Sequence, residues 1–404
     1  MGAVRNGINK VMAYSIYIHI PFCQRRCNYC DFITYAGMGH YLPVYIDSLI
    51  EEFRIVIKQA YKKLVKSIYF GGGTPSLVPI KAYEKILIAL SQLFYLTEDC
   101  EISIEANPGT LNFEYLKGLK TLGFNRISLG CQSMQDLDLR RLGRIHTSDD
   151  IYTSYENSRR VGFANINFDL IFGLPWQSLH DWKDTLKKAL ELNPEHFSVY
   201  SLIIEPGTKL FHWYQKGLIA LQDQDKEGDL FESSMAQLSR AGYEHYEISN
   251  WAKKDRTQDF QCRHNLQYWR GLPYLGFGVG AHGYARDVRT ANVIGIPDYC
   301  DRIVMGKNHT YDFPKSPANK TSITLEKMTQ MREYMIMGLR LIAEGVSPAK
   351  FFDLFSCSIL DVFEEEIITL LDEGLLQWGG GEKRSLKLTK RGVMLGNQVF
   401  MAFV

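Results

Sequence analysis

The chain has 404 residues, 46% of them hydrophobic and 23% charged, which is the composition of an ordinary globular protein. Its 46 Lys and Arg residues against 45 Asp and Glu give a net charge of +1, which argues against general nucleic-acid binding. The first residues lack the apolar stretch of a signal peptide and no run approaches a membrane span, so we expect a cytoplasmic protein with reduced cysteines.

Six short β-rich runs recur along the chain, each followed by Gly, Pro or Asn and then by a helical pattern. They are SIYIHI before Pro21, SIYF at 67–70, EISIEA at 101–106, RISLG at 126–130, NINFDLIFG at 165–173 and HFSVYSLI at 196–203. The clearest helical patterns, at 43–64 and 179–192, have apolar residues at three- and four-residue spacing. Alternating strands and helices predict a parallel sheet, and six units predict a partial β/α barrel with its chemistry at the carboxyl ends of the strands.

The last part of the chain has a different pattern. Helices are predicted at 326–343, 348–355 and 360–376, followed by two short strands within 376–388 and a last helix from Lys390. This order is typical of a winged helix, but the acidic residues Asp361 and Glu364–Glu366 favour a lid or partner-docking role over DNA binding. The predicted division is a tail at 1–13, a barrel region at 14–292, a polar connector at 293–324 and a small, mostly helical, winged-helix-like domain at 325–404.

Three cysteines, Cys23, Cys27 and Cys30, follow the first predicted strand with the spacing C-x-x-x-C-x-x-C, and no fourth cysteine lies nearby in the sequence. Three thiolates can hold three irons of a cubic iron–sulfur cluster and leave the fourth iron open for a cofactor or substrate. A zinc site is the alternative, with His19 or His40 as the fourth ligand.

The run YIHIPFCQRRCNYCDF resembles the signature of the radical S-adenosylmethionine (SAM) family, with Tyr29 as the aromatic residue before the third cysteine. The resemblance implies a 4Fe–4S cluster whose open iron binds SAM, and an electron donor that reduces the cluster. In that family, an electron from the cluster breaks SAM and yields a 5′-deoxyadenosyl radical, while the protein orients the cofactor and excludes water.

Other strand ends match the SAM-binding positions of that family. GGGTPS at 71–76 matches the glycine-rich strand end and places Gly72, Gly73 and Thr74 in the SAM set, because glycine lets the backbone approach a ligand closely. Glu105 matches the acidic residue that accepts hydrogen bonds from the SAM ribose. A solvated strand-end acid is the alternative for Glu105.

Four further residues complete the SAM set implied by the resemblance: Tyr17, Gln132, Arg144 and Asp169. Structural pairing among them is the alternative to ligand binding. Asp169 lies in an apolar run, where an unpaired carboxylate would be costly, so we expect it to be paired with Arg144 or with a ligand.

From Tyr14 onward, the chain is similar to the oxygen-independent coproporphyrinogen III oxidase group, including GRIHT, DLIFGLP, YEISNWA and GAHGY. That group contains true oxidases and heme chaperones. The oxidases carry a further cysteine two residues after the third cluster cysteine, where this chain has Phe32. Because Phe cannot replace a thiol, the oxidase interpretation is weakened.

The chaperone branch resembles this chain at HNLQYW, residues 264–269. The resemblance implies heme contacts by His264, Tyr268 and Trp269, with Cys262 as a second candidate ligand of the heme iron. A structural loop with a hydrogen-bonded histidine is the alternative.

We therefore predict a heme chaperone that binds a 4Fe–4S cluster, SAM and heme, and transfers heme to an acceptor such as a respiratory hemoprotein. The alternative is an oxygen-independent coproporphyrinogen III oxidase, which makes protoporphyrinogen IX by radical decarboxylation. Whether the protein is an enzyme is left open, and the resemblance leaves room for a dimer and for transient membrane contact.

Overall fold

The computed structural model describes residues 12–404 except 59, 61 and 381–383, so the predicted tail at 1–13 falls almost wholly outside the described residues. The main sheet has twelve strands. In chain order they are β1 (Tyr14–Ile20), β2 (Leu64–Gly72), β3 (Tyr95–Ala106), β4 (Arg126–Gln132), β5 (Asn165–Phe172), β6 (His196–Ser201), β7 (Glu244–Glu247), β8 (Asn250–Ala252), β9 (Tyr274–Phe277), β10 (His282–Ala285), β11 (Val288–Asn292) and β12 (Asn319–Thr324).

Strands β1 to β6 are parallel neighbours in sequence order and form the partial barrel that the six predicted runs indicate. The sheet continues past both ends of this unit. Beyond β1 it adds β9 in parallel and then β10, β11 and β12 in antiparallel pairing. Beyond β6 it adds β8 and β7, also antiparallel.

The helices of the barrel region lie mostly on the outer face of the sheet. They are α1 (Leu42–Ile57), α2 (Ile80–Leu93), α3 (Phe113–Thr121), α4 (Asp136–Leu142), α5 (Ser148–Val161), α6 (Leu179–Glu191), α7 (Lys209–Gln215), α8 (Gln224–Arg240), α9 (Arg263–Trp269) and α10 (Ile296–Gly306). The predicted helix at 43–64 thus ends at Ile57, and β2 begins at Leu64.

Side chains of the six parallel strands alternate between two environments. The apolar set, such as Ile16, Ile18 and Ile104, is fully buried in one core cluster with residues of the outer helices. The intervening residues, such as Glu105 and Asp169, point into the barrel and line a cavity. Because successive side chains of a strand point to opposite faces, a polar interior and an apolar exterior coexist in each strand.

The segment 293–324 is not the irregular connector that its polarity indicates. It contains α10 and the edge strand β12, and a buried carboxylate ties it to the barrel. Glu52 on α1 accepts hydrogen bonds from the Gly278 amide at 2.9 Å and the Tyr299 hydroxyl at 2.7 Å. Its other oxygen accepts from Asn292 and Ser316, both at 2.9 Å.

Replacing Glu52 by Gln is expected to lower the free energy of unfolding by about 2–4 kcal/mol. The NH2 group of the new side chain would face N–H and O–H groups that now donate to the carboxylate, in a buried site. Urea unfolding of the full chain measures this change. The neighbouring Glu51→Gln is the matched control: Glu51 is partly exposed and, among the described residues, forms an ion pair with Arg54 alone, so a change within about 0.5 kcal/mol is expected. Equal effects of the two substitutions would contradict the structural role of Glu52.

The C-terminal region builds a second core cluster, which includes Met335, Phe351, Phe363 and Leu386. Its elements are α11 (Lys327–Leu339), α12 (Pro348–Phe355), α13 (Ile359–Asp372), the hairpin β13 (Leu376–Trp378) and β14 (Leu386–Leu388), α14 (Lys390–Met394) and α15 (Gly396–Met401). The mostly helical character and the predicted order are confirmed, while the domain boundaries stay a prediction. Within the described part of the chain, no helix is long and apolar enough to cross a bilayer.

Candidate functional site

A cavity of about 580 Å³ occupies the interior of the partial barrel and is lined by all six parallel strands. It extends along β4 from Arg126, the first residue of that strand, to Gln132, the last. At about 3.3 Å per residue, these two positions lie roughly 20 Å apart. The cavity therefore has a mouth at the carboxyl ends of the strands and a floor deep in the barrel.

The loop of the three cysteines closes one side of the mouth. Cys23, Cys27 and Cys30 are half-buried free thiols that line the cavity. Asn28, between them, anchors the loop: its amide nitrogens donate to the carbonyls of Leu142 and Arg141 at the end of α4, both at 2.9 Å. The backbone of the loop is thus held against the barrel.

Two neighbours donate hydrogen bonds to the thiols. The Thr74 hydroxyl lies 3.5 Å from Cys23 Sγ, and Arg144 Nη1 lies 3.4 Å from Cys27 Sγ. Burial raises the pKa of the Cys23 and Cys30 thiols, so a cationic metal centre is needed to keep them deprotonated. The three thiols line the same cavity, and two of them accept hydrogen bonds. Both features fit cysteines that hold an iron–sulfur cluster as thiolates.

The zinc alternative finds no fourth ligand in the part of the chain that the structure describes. His19 Nε2 donates to the Ile33 carbonyl at 2.8 Å, so its Nδ1 accepts from the Tyr17 hydroxyl at 3.0 Å. The His40 ring packs against Tyr41, with the ring centroids 4.5 Å apart and the planes tilted by 48°. Among the described residues, no group of three or more His, Cys, Asp or Glu side chains is close enough to hold a single metal ion.

The glycine-rich strand end packs against β1 and the cysteine loop. A Cβ on Gly73 would lie 2.7 Å from the Phe22 carbonyl oxygen and 2.9 Å from that of Ile20. Gly72 has a φ of +112°, and a Cβ there would meet the His19 ring at 2.5 Å. Glycine is required at both positions because neighbouring backbone and the His19 ring fill the space of a side chain.

Glu105 ends β3 inside the cavity. One carboxylate oxygen accepts from the Tyr69 hydroxyl at 2.9 Å and the other from the Gly72 amide at 3.0 Å. Burial, and then the charge of Asp169, raise the pKa of Glu105 to about 7. Each oxygen retains a lone pair, so the carboxylate can still accept from a diol such as a ribose.

Asp169 and Arg144 do not pair with each other, which corrects one of the two expectations for Asp169. The Asp169 carboxylate accepts from the Ser128 hydroxyl at 2.8 Å and the Asn167 amide at 2.9 Å. Arg144 instead donates to Cys27, to the Gly130 carbonyl at 2.8 Å and to Asn107. Neighbouring strand residues thus satisfy Asp169, and Arg144 belongs to the cysteine end of the cavity.

The other predicted SAM residues, Tyr17, Tyr29, Thr74 and Gln132, also line the cavity. Gln132 has a φ of +68° at a register shift at the end of β4. A non-glycine residue in this region stores strain that the surrounding structure must support, and such residues cluster at binding sites.

The HNLQYW segment forms α9, which packs against the start of β2 and contributes two of its predicted heme residues to the cavity. His264 and Tyr268 line it. The His264 ring is fully engaged: Nδ1 lies 3.0 Å from the Ser67 hydroxyl and Nε2 lies 2.7 Å from the Tyr268 hydroxyl. Burial, and then the charge of Arg126, lower the pKa of His264 to about 3, so the ring is neutral.

Cys262 and Trp269 lie outside the cavity wall. The Cys262 thiol is buried and faces Glu101, 3.7 Å away. The Trp269 ring stacks under the Arg340 guanidinium, 4.3 Å from its centroid, at the contact with the C-terminal region. The structure therefore brings His264 and Tyr268 to the site but not the other two members of the predicted heme set.

Comparison with known proteins agrees with this geometry. The sequence model of the radical SAM superfamily matches residues 17–189. Two relatives named heme chaperone HemW, from Bacillus subtilis and Lactococcus lactis, are 38% and 37% identical; each alignment covers 96% of this chain and 99% or 97% of the relative.

The chain belongs to the HemW family of radical SAM proteins. A solved structure of coproporphyrinogen III oxidase (HemN) from Escherichia coli, titled a radical SAM enzyme, superimposes with a TM-score of 0.81. It covers 97% of this chain and 90% of HemN at 24% identity, so the likeness shows the shared fold. Membership in the radical SAM superfamily assigns a 4Fe–4S cluster and SAM to the chain as cofactors.

Several further polar residues of the cavity wall were not predicted from the sequence. They are Tyr69, Arg126, Ser128, Asn167, Ser198 and Tyr200, all of which line the cavity. The alternation of side chains along a strand could have indicated them, because each of these residues lies two positions from another inward-facing polar residue or glycine. Arg126 is notable because its buried Nε has no hydrogen-bond partner among the described residues.

Proposed function

We propose that this protein is a heme chaperone that carries a 4Fe–4S cluster and SAM, binds heme and delivers it to an acceptor hemoprotein. The observation that carries the proposal is the near-full-length likeness to relatives named heme chaperone HemW. Phe32 supports it, because this phenylalanine lies two residues after Cys30, where the oxidases carry a further cysteine. The likeness to HemN concerns the fold and does not favour the oxidase alternative.

Separate sets of residues are proposed for the cluster and for SAM. We assign the cluster to Cys23, Cys27 and Cys30, with Arg144 and Thr74 donating to the sulfurs. When bound, the cluster and SAM supply an electron and a radical precursor. We assign SAM to the set Tyr17, Tyr29, Gly72, Gly73, Thr74, Glu105, Gln132, Arg144 and Asp169, of which Glu105 has free lone pairs for the ribose.

The heme contacts need a different argument. His264 can reach heme iron only after it gives up its hydrogen bonds to Ser67 and Tyr268. Cys262 and Trp269 face other parts of the protein. We therefore keep His264 and Tyr268 as heme candidates that require a rearrangement.

The proposed partners are heme, an electron donor that reduces the cluster, and an acceptor hemoprotein such as a respiratory one. The proposal places the protein in the cytoplasm. It includes a dimer, and it includes transient membrane contact for delivery to a membrane-bound acceptor.

An anaerobic assay tests the function directly. Reconstituted protein is mixed with SAM, reductant and coproporphyrinogen III, and separately titrated with hemin. We expect a Soret shift with tight hemin binding and no decarboxylated porphyrinogen. The Cys27→Ala variant is the control for cluster-dependent turnover. Formation of protoporphyrinogen IX by the intact protein, absent in that variant, would favour the oxidase over the chaperone.

A further inference from the structure

Large apolar side chains edge the mouth of the cavity although they are exposed to solvent. Phe32 is 62% exposed, Ile203 68% and Ile145 45%, and Leu77 and Tyr200 are also exposed and line the cavity. They come from four segments of the chain, since Tyr200 and Ile203 both lie at the end of β6. Single exposed apolar residues are ordinary, but a group around one cavity marks a surface that a ligand or partner covers. We call Phe32, Leu77, Ile145, Tyr200 and Ile203 the rim.

Two arginines border the rim. Arg25 and Arg26 lie between the first two cysteines, are exposed and line the same cavity. Arg26 Nε donates to the Cys30 carbonyl at 3.1 Å, which fixes the side chain beside the mouth. Arg25 forms no hydrogen bond or ion pair with any described residue. Asp31 and Glu205 also line this cavity, so the arginine pair stands beside carboxylates rather than in a purely basic patch.

We propose that heme docks on this rim, with one face of the macrocycle against Phe32 and Ile203 and its propionates toward Arg25 and Arg26. The inference rests on the proposed function and names where that ligand binds. An apolar surface beside guanidinium groups matches a flat apolar ring that carries carboxylates, because arginine pairs with carboxylates through paired N–H donors. The polar interior behind the rim stays available for SAM.

Docking at the rim also suits transfer. A ring that lies across the mouth buries one face and leaves the other accessible to an acceptor protein. Binding at His264, by contrast, would place heme in the barrel interior and would break the hydrogen bonds of that ring to Ser67 and Tyr268. The rim needs no such rearrangement, because its side chains are already exposed.

Hemin and its dimethyl ester, which lacks free propionates, separate the apolar and ionic parts of the site. Each is titrated into reconstituted full-length protein and followed by the Soret band. A Phe32→Ser, Ile203→Ser variant is expected to weaken both ligands about tenfold or more, since apolar contact is lost for either. An Arg25→Gln, Arg26→Gln variant should weaken hemin several-fold, with little effect on the ester.

Phe352→Ser is the matched control, because Phe352 is 57% exposed on α12 and lies outside the cavity lining. Hemin affinity should not change in it. An Ile145→Ser, Ile203→Ser variant repeats the rim test without altering the cysteine loop, and iron content verifies that the cluster is intact in each protein.

The outcomes are distinct. If wild-type protein binds hemin and both rim variants bind it equally well, the rim proposal is overturned while the chaperone function stands. If His264→Ala lost hemin binding while the rim variants kept wild-type affinity for hemin, the heme site would lie at α9 and the rim proposal would be wrong. A wild-type protein that binds no hemin would overturn the proposed function and the rim site together.

Discussion

Cys27→Ala is expected to remove almost all iron from the reconstituted protein. Cys27 is the middle cysteine of the triplet, and its sulfur is the one that accepts from Arg144. Two thiolates cannot replace the three that hold a cubic cluster with one open iron. Iron and sulfide analysis after anaerobic reconstitution measures the loss, and the visible absorption band of the cluster should vanish with it.

Cys357→Ala serves as the control for this substitution. Cys357 is also a half-buried free thiol, but it packs in the C-terminal core, away from the cavity. That variant should retain about four irons per chain, the content of one cubic cluster. Full iron content and an unchanged spectrum in Cys27→Ala would contradict the assignment of the triplet.

The predicted site residues that the structure brings to one cavity follow from local patterns. The three cysteines, the glycine-rich strand end and Glu105 each follow a recognisable strand, and the carboxyl ends of parallel strands converge in space. Their approximate positions therefore follow once the strands are assigned. The confirmed partial barrel has the same origin, since strand and helix patterns alternate clearly up to Ser201.

The parts that were missed depend on contacts between distant segments. Asp169 accepts a hydrogen bond from Ser128 on the neighbouring strand, a contact that only the strand register reveals. Glu52 binds groups more than 220 residues away in sequence, at Gly278 and Ser316. No local pattern contains such pairings.

The segment 293–324 shows two different reasons for a missed element. Strand β12 is an edge strand with almost every residue exposed, so it lacks the alternation that marks a half-buried strand. Helix α10, in contrast, buries Ile296, Tyr299 and Ile303 at three- and four-residue spacing. That amphipathic signal was present in the sequence, but the surrounding polar residues obscured it.

Glu105→Gln is expected to weaken SAM binding about 10- to 100-fold, because a charge-assisted hydrogen bond to a ribose hydroxyl is replaced by a weaker one. The pH dependence gives a sharper signature. Because the pKa of Glu105 is about 7, the carboxylate is mostly neutral at pH 6 and mostly ionised at pH 8. Wild-type affinity for SAM should therefore rise across this window, whereas the Gln variant should lose that rise.

Equilibrium binding of SAM at both pH values, with iron content held equal, measures this change in affinity. Glu98→Gln, exposed on the same strand, should behave as wild type. An unchanged pH profile in Glu105→Gln would show that another group controls the titration and that Glu105 does not contact SAM.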